Sequence, residues 1–80
     1  MTSIKVIYGN ERCGDCKRAK KFLDERGYPY AWIDIDKSVE GRQKVSELSG
    51  RIPTIVFVDG SILVEPTNNE LKKKLKEKEK

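Results

Sequence analysis

The sequence predicts an α/β protein in which a mixed four-stranded sheet carries helices on both faces, in the order β-α-β-α-β-β-α. Short β-branched and aromatic segments alternate with segments of helical apolar spacing. A helix separates the first two strands, which makes them parallel, whereas the tight turn Asp59-Gly60 joins the last two, which makes them antiparallel. The 80 residues allow one domain with a modest core, which we assign to residues 1–80.

The first half of the chain contains two predicted strands and two predicted helices. Residues 4–8 and 30–35 form the strands, and the mostly apolar composition of the second predicts burial on both of its faces. The first helix extends to about Arg26 and is capped by Gly27, and Ser38 caps a second helix that ends near residue 48. The predicted core positions of these helices are Cys16, Ala19, Phe22, Leu23, Val39, Val45 and Leu48.

The second half predicts a hairpin and a terminal helix. Residues 54–58 have the strongest strand signal, and residues 61–64 follow the Asp-Gly turn, in which glycine accepts a positive φ. Thr67 and Glu70 match a capping box, and Leu71 and Leu75 mark the core face of the last helix. From about residue 72 this helix continues into a charged end that contains six lysines.

The charge pattern argues against nucleic-acid and membrane partners. The net charge of +4 depends on the terminal lysines, which are partly offset by Glu77 and Glu79 and have no aromatic residue among them to stack on bases. No apolar run is long enough to cross a membrane, and the N-terminus lacks an apolar signal region. We therefore expect a soluble, cytoplasmic monomer with a solvated helix end.

The only two cysteines lie three residues apart in Cys13-Gly14-Asp15-Cys16, between the first strand and the first helix. This spacing places both sulfur atoms on the first helical turn, close enough to bond to each other. The positive end of a helix favours the thiolate, which is the form that attacks disulfides. Asp15 opposes this effect, whereas nearby basic residues support it: Arg12, Lys17 and Arg18. The motif predicts thiol–disulfide exchange.

The two cysteines are expected to have different roles. Cys13, at the loop–helix junction, is the more exposed sulfur and attacks a substrate disulfide, and Cys16, on the apolar face, then displaces the substrate by closing the intramolecular bridge. A purely structural bridge over so short a loop would stabilise the fold weakly. A zinc site normally takes four ligands, and a chain without histidine or a third cysteine could complete one only as a dimer. We expect no bound metal.

A second motif, Ile52-Pro53-Thr54, starts the strongest strand, and Asp59-Gly60 follows it. Together with the cysteine motif, in this order, these segments resemble the glutaredoxin family of the thioredoxin fold, over residues 4 to about 75. The resemblance implies that Cys13 is the nucleophile and Cys16 the resolving thiol. It also implies a cis peptide bond before Pro53, facing the cysteines, and a backbone at Ile52 that pairs with the substrate like an added strand.

Several other positions bear on which thiol this chain uses. Glutathione-using glutaredoxins usually carry Pro-Tyr between the cysteines, a basic residue at the position of Asn10, and a Gly-Gly pair where this chain has Glu65-Pro66-Thr67. Asp59-Gly60-Ser61, Pro66-Thr67 and Glu70 resemble instead the mycoredoxin-like, actinobacterial-type glutaredoxins, which act on mixed disulfides of mycothiol. Arg12 and Asp15 depart from that pattern as well. We expect no bound cofactor and a low-molecular-weight thiol, glutathione or mycothiol, as co-substrate.

The expected activity is that of a dithiol oxidoreductase that reduces disulfide-containing proteins or mixed disulfides and is itself reduced by a thiol or thioredoxin reductase system. The residues expected to bind substrate are Arg12, Lys17, Arg51, Ile52, Pro53, Thr67 and Asn68. For Thr67 and Asn68 the alternative is simple helix capping. Two alternative functions remain: a small electron donor reduced by thioredoxin reductase, and a non-catalytic binding module on the same fold.

Overall fold

The sheet and its helices follow the predicted order. The computed structural model describes residues 3–75. Within them the elements are β1 Ile4–Gly9, α1 Gly14–Glu25, β2 Ala31–Asp34, α2 Val39–Leu48, β3 Thr54–Phe57, β4 Ile62–Val64 and α3 Asn68–Lys74. The strands are arranged β2-β1-β3-β4. β1 is parallel to β2 and antiparallel to β3, and β3 is antiparallel to β4. The predicted α/β class with a mixed sheet is confirmed.

The two faces of the sheet are covered by different helices. α1 and α3 pack on one face, where Phe22 and Leu71 meet Ile7 and Phe57 of the sheet. α2 covers the other face, where Val45 packs with the alternate residues of β1. A bulge in β1 shifts its register between Ile4 and Val6, which allows Ile4 and Ile7 to face the same helices although they are three residues apart. The core therefore lies in two layers, one on each side of β1 and β3.

The predicted turns and caps are present. Gly27 and Gly60 have φ values of 74° and 89°, the left-handed conformation that glycine adopts without steric cost. Thr67 and Glu70 form both hydrogen bonds of the capping box, and Ser38 Oγ accepts a hydrogen bond from the backbone N–H of Gly41 at 3.0 Å. The last helix ends with its cap at Leu75, and the rest of the predicted charged end lies outside the described residues.

Two burial predictions were wrong. β2 is half-buried or exposed along its length because it lies at the edge of the sheet, where no further strand covers it. Val39 is 75% exposed because the first residue of α2 points away from the sheet, although Val45 of the same helix is buried as predicted. In the first turn of α2, Gly41 and not Val39 is the residue that packs against the sheet. A β-carbon at Gly41 would lie 2.6 Å from Ile33 Cγ2.

The helices of residues 3–75 include none with the length and apolar character needed to span a lipid bilayer.

Candidate active site

Cys13 is the N-cap residue of α1. Its backbone is extended, with φ −83° and ψ 118°, and its side chain is partly exposed. The backbone N–H of Cys16 donates a hydrogen bond to Cys13 Sγ at 3.4 Å, and the carbonyl of Cys13 accepts one from the N–H of Lys17 at 3.1 Å. An N-cap side chain ordinarily accepts this helix N–H through oxygen, so here the sulfur takes the place of a capping oxygen. A thiolate accepts such a bond more strongly than a thiol does.

Cys16 is a different kind of thiol. It is fully buried on the core face of α1, as its apolar-face position predicts, and both cysteines are free thiols in the structure. Burial, and next the hydrogen bond with Cys13, raise the pKa of the Cys16 thiol from 9.0 to about 12, and the charge of Asp15 adds to the increase. A backbone hydrogen bond at Asn10 lowers this pKa without cancelling the increase. Cys16 is therefore protonated at neutral pH, one helical turn from a partly exposed sulfur.

Gly9 is the residue of β1 that lies against the dithiol motif. It is buried, and a β-carbon at this position would lie 2.5 Å from Cys16 Sγ and 3.0 Å from Cη2 of Trp32. Only glycine leaves room for the sulfur between β1 and the indole ring. The sequence pattern does not reveal the role of Gly9, because a glycine at the end of a strand is typical of an ordinary turn.

The Ile52–Pro53 peptide bond is cis, as the family resemblance implies, and Pro53 is buried. Continuing the antiparallel register of Tyr8 with Thr54 places Pro53 opposite Gly9, the residue that packs on Cys16. The structure therefore brings Pro53 and the dithiol motif to the same end of the two central strands, β1 and β3. Ile52 is half-buried, and its backbone N–H and C=O have no hydrogen-bond partner among residues 3–75.

A buried hydroxyl holds the segment before the cis bond. Thr54 is fully buried, and its Oγ1 donates to the carbonyl of Arg51 at 2.6 Å and is hydrogen-bonded to Ser49 Oγ at 2.7 Å. Ser49 Oγ also accepts from the N–H of Arg51 at 3.0 Å. On the other side, Pro53 accepts a hydrogen bond from the N–H of Glu65 at 2.9 Å, which ties the segment to the loop before α3.

Thr67 and Asn68 lie at the start of α3, but the Thr67 hydroxyl is engaged. Thr67 Oγ1 accepts from the N–H of Glu70 at 3.1 Å, and Glu70 Oε1 accepts from the N–H of Thr67 at 2.9 Å. These bonds agree with the capping alternative for Thr67. Asn68 is exposed and lines a cavity of about 390 Å³ between α1 and α3, together with Arg18 and Lys72. The two cysteines do not line that cavity.

The predicted substrate-binding cations are distributed around the motif. Arg12 Nη2 lies 3.0 Å from Asp36 Oδ2, and Arg51 Nη1 lies 3.7 Å from Glu65 Oε2. Both arginine side chains are largely exposed, so each ion pair contributes little stability and an anionic substrate group can compete for it. Lys17 is exposed on the first turns of α1. Nothing local in the sequence indicates the pairing of Arg12 with Asp36, because the two residues are 24 positions apart.

Within residues 3–75, no three or more His, Cys, Asp or Glu side chains are grouped so that they could hold a metal ion.

Comparisons with known proteins agree with this architecture. The Glutaredoxin family profile matches residues 6–63, a span that contains both cysteines and Pro53. A Mycobacterium tuberculosis protein with a provisional glutaredoxin name is 33% identical over 78 residues, which cover 94% of this chain and 93% of that protein. The glutaredoxin-like protein NrdH of Lactococcus lactis is 32% identical over 54 residues, which cover 68% of this chain and 75% of that protein.

Solved structures show the same fold. The thioredoxin-like protein BC3987 superposes with a TM-score of 0.76 at 25% identity, covering 89% of this chain and 97% of that chain. The glutaredoxin of Archaeoglobus fulgidus superposes with a TM-score of 0.73 at 26% identity, covering 91% of this chain and 85% of that chain. The fold is thioredoxin-like, and the chain belongs to the glutaredoxin family, with the thiol–disulfide redox function that this family carries in general.

Proposed function

We propose that this protein is a dithiol oxidoreductase that reduces mixed disulfides of proteins or low-molecular-weight thiols, with Cys13 as nucleophile and Cys16 as resolving thiol. The observation that carries the proposal is the contrast between the two sulfurs. Cys13 is partly exposed, and its sulfur accepts a hydrogen bond from a backbone N–H of the helix. Cys16 is fully buried, and the pKa of its thiol is raised to about 12. One sulfur is suited to meet a substrate, and the other stays protonated until a mixed disulfide has formed.

The reaction proceeds in two exchanges. Cys13 thiolate attacks one sulfur of the substrate disulfide, forms a mixed disulfide, and releases the other sulfur as a thiolate that takes up a proton. Cys16 then loses its proton to the departing thiol or to water and attacks Cys13 Sγ, which releases the second substrate thiol. The substrate disulfide gains two electrons and two protons, and the dithiol becomes the Cys13–Cys16 disulfide. A reductant must then return these two electrons.

The geometry around the motif supports a proposed set of substrate contacts. Among residues 3–75, the backbone N–H and C=O of Ile52 have no hydrogen-bond partner, and they lie beside the buried Pro53. Both groups can pair with an extended substrate like an added strand. Arg12, Arg51 and Lys17 supply positive charge for an anionic thiol such as glutathione, or for acidic groups of a protein substrate. Asn68 supplies a further polar contact, whereas Thr67 contributes mainly through the helix that it caps.

The decisive experiment traps the first intermediate. Cys16→Ser removes the resolving thiol, so incubation with a glutathionylated or mycothiolated peptide should leave a stable adduct on Cys13 that intact-mass spectrometry identifies. Cys13→Ser is the matched control and should form no adduct, because its remaining thiol is buried and protonated. If Cys16→Ser forms no adduct with any disulfide, the nucleophile role is wrong and the non-catalytic binding module becomes the better description.

A second candidate is a small electron donor reduced directly by thioredoxin reductase. It is favoured by the engaged hydroxyl of Thr67 and by the carboxylate of Asp15 inside the motif, because neither offers a ready site for the carboxylates of glutathione. Three assays separate the candidates, each supplying NADPH: glutathione with its reductase, mycothiol with its reductase, or thioredoxin reductase alone. Turnover with the third system alone would support the electron donor, and turnover with a thiol system would support the mixed-disulfide reductase.

A monomer in a reducing compartment, such as the cytoplasm, fits this proposal, because a dithiol of this kind must be returned to its free-thiol form between turnovers.

A further inference from the structure

Glu65, in the loop between β4 and α3, has an unusual backbone conformation. Its φ is 48°, and among residues 3–75 it is the only residue other than glycine with a positive φ. A residue with a β-carbon adopts this conformation at a cost, and such residues are concentrated at binding and catalytic sites. Glycine would adopt it without that cost, so the side chain of Glu65 is the feature that needs an explanation.

The backbone of Glu65 lies level with the dithiol motif in the sheet. Its N–H donates a hydrogen bond of 2.9 Å to the carbonyl of Pro53, which continues the antiparallel pairing of β3 with β4 by one residue. Pro53 in turn lies opposite Gly9, the residue that packs on Cys16. Neighbouring strands are about 4.8 Å apart, so Glu65 lies roughly 10 Å from β1 across the sheet, about the length of an extended tripeptide. The charged groups of a short peptide thiol bound at the motif can therefore reach Glu65.

The carboxylate of Glu65 is paired with a cation of the segment that precedes Pro53. Its Oε2 lies 3.7 Å from Arg51 Nη1, and the side chains of Glu65 and Arg51 are 42% and 72% exposed. Arg51 has no other ion pair among the residues that the structure describes. An anionic substrate group that approaches Arg51 must compete with Glu65 and is repelled by it, whereas an uncharged group meets no such competition.

We propose that Glu65 determines the charge selectivity of the dithiol site: it occupies Arg51 and repels anionic thiols, so that disulfides of uncharged or cationic thiols are the preferred substrates. The proposal rests on the proposed role of Cys13 and adds the substrate class. Selectivity of this kind arises from repulsion of one class as much as from attraction of another. Arg12 and Lys17 are not paired with Glu65, so anionic thiols are disfavoured and not excluded.

The test compares three disulfides of different charge: glutathione disulfide is anionic, 2-hydroxyethyl disulfide is uncharged and cystamine is cationic. In a Cys16→Ser background each forms a mixed disulfide with Cys13 and releases its other half as a thiol, and quenched-flow mass spectrometry gives the rate constant. Each rate constant is divided by that of 2-hydroxyethyl disulfide. This ratio removes any change in the reactivity of the sulfur itself, because such a change affects all three disulfides.

Glu65→Gln should raise the relative rate constant of glutathione disulfide roughly two- to fivefold and lower that of cystamine by a similar factor, the size expected for one partly exposed charge. Both changes should shrink at high ionic strength, because salt screens exposed charges. The double variant Arg51→Gln with Glu65→Gln should lose most of the gain with glutathione disulfide, because the cation that Glu65 occupied is then absent.

Two further variants make the test specific. Glu25→Gln is the matched control, because it removes an exposed carboxylate at the end of α1 far from the cysteines, and it should leave both relative rate constants nearly unchanged. Glu65→Gly removes the carboxylate and accepts the positive φ, so it should act as Glu65→Gln does even if glutamine disturbs the loop.

The opposite signs for the anionic and the cationic disulfide distinguish charge selectivity from a structural effect of the loop. Relative rate constants that stay unchanged in both Glu65 variants, or that move in the same direction for the two charged disulfides, would overturn the proposal and leave the nucleophile role of Cys13 intact. A double variant that keeps the full gain would overturn the part assigned to Arg51. If Cys16→Ser forms no adduct with any of the three disulfides, the nucleophile role is wrong and the selectivity proposed here is wrong with it.

Discussion

The backbone of Gly9 lies directly against the sulfur of Cys16. A β-carbon at Gly9 would approach Cys16 Sγ to 2.5 Å, closer than real β-carbons come to their neighbours, and the Trp32 ring closes the other side of the same space at 3.0 Å. Strand β1, helix α1 and strand β2 therefore meet at one tightly packed point behind the motif. Any side chain at Gly9 must displace the sulfur, the ring or the strand.

Gly9→Ala should lower the free energy of unfolding of the reduced protein by about 1–3 kcal/mol, because the added methyl group overpacks a buried contact. Urea denaturation followed by circular dichroism measures this. Gly14→Ala is the matched control, because a β-carbon there has nothing within 4 Å. In the first turn of a helix it should be neutral or stabilise by up to about 1 kcal/mol. Equal destabilisation by the two variants would show that the close contact at Gly9 is unimportant.

The features predicted correctly from the sequence are mainly those set by local chemistry. The left-handed cap at Gly27 and the box of Thr67 with Glu70 each involve residues a few positions apart, so their signal is present in the sequence itself. The burial of Cys16 followed from helical periodicity in the same way. The cis bond before Pro53 was implied by family resemblance, and no local pattern would have indicated it.

The features that the sequence did not reveal depend on tertiary neighbours. The packing of Gly9 on Cys16 and the ion pair of Arg12 with Asp36 join residues on different elements, and their distances depend on how those elements are placed. The exposure of Val39 has the same origin, because helical spacing alone does not decide which way the first turn of a helix faces the sheet.

Thr54→Val should destabilise the protein by about 1–3 kcal/mol, because it removes a fully buried hydroxyl while keeping the side-chain volume. The lost bonds are those to the Arg51 carbonyl at 2.6 Å and to Ser49 Oγ at 2.7 Å. These bonds order the segment that presents Ile52, so we also expect slower adduct formation on Cys13 with a disulfide peptide.

Thr54→Ser separates the hydroxyl from the methyl group. It keeps both hydrogen bonds and loses one buried methyl, which costs about 1 kcal/mol. Adduct formation, measured by quenched-flow mass spectrometry in a Cys16→Ser background, should then remain at the parental rate. A rate that falls equally in Thr54→Ser and Thr54→Val would mean that the hydroxyl does not order the segment before Pro53.

Thr67→Ala should lower the free energy of unfolding by about 0.5–2 kcal/mol, the usual cost of removing an N-cap side chain. The loss follows from the bond between Thr67 Oγ1 and the N–H of Glu70. If Thr67 acts only as a cap, the KM for a glutathionylated peptide should change no more than in Ser38→Ala, which removes the cap of α2 on the opposite face of the sheet. A KM that rises selectively in Thr67→Ala would instead identify the hydroxyl as a substrate contact.

The buried thiol of Cys16 should make the reduced protein less stable in alkali. Its pKa is raised in the folded state from 9.0 to about 12, chiefly by burial, so the folded protein holds this proton at pH values where the unfolded chain has lost it. The stabilising contribution is fully present below about pH 9 and is lost as the pH rises towards 12, with a slope of at most about 1.4 kcal/mol per pH unit for one proton. Urea denaturation between about pH 8 and pH 10.5 measures the slope.

Cys16→Ser should lack this pH-dependent component of the stability, and Cys13→Ser should retain most of it. Tyr30, whose pKa burial and Asp24 raise to about 12, is present in all three proteins, so its contribution cancels in the comparison. Identical slopes for Cys16→Ser and the parent would show that Cys16 ionises as easily in the folded protein as in the unfolded chain.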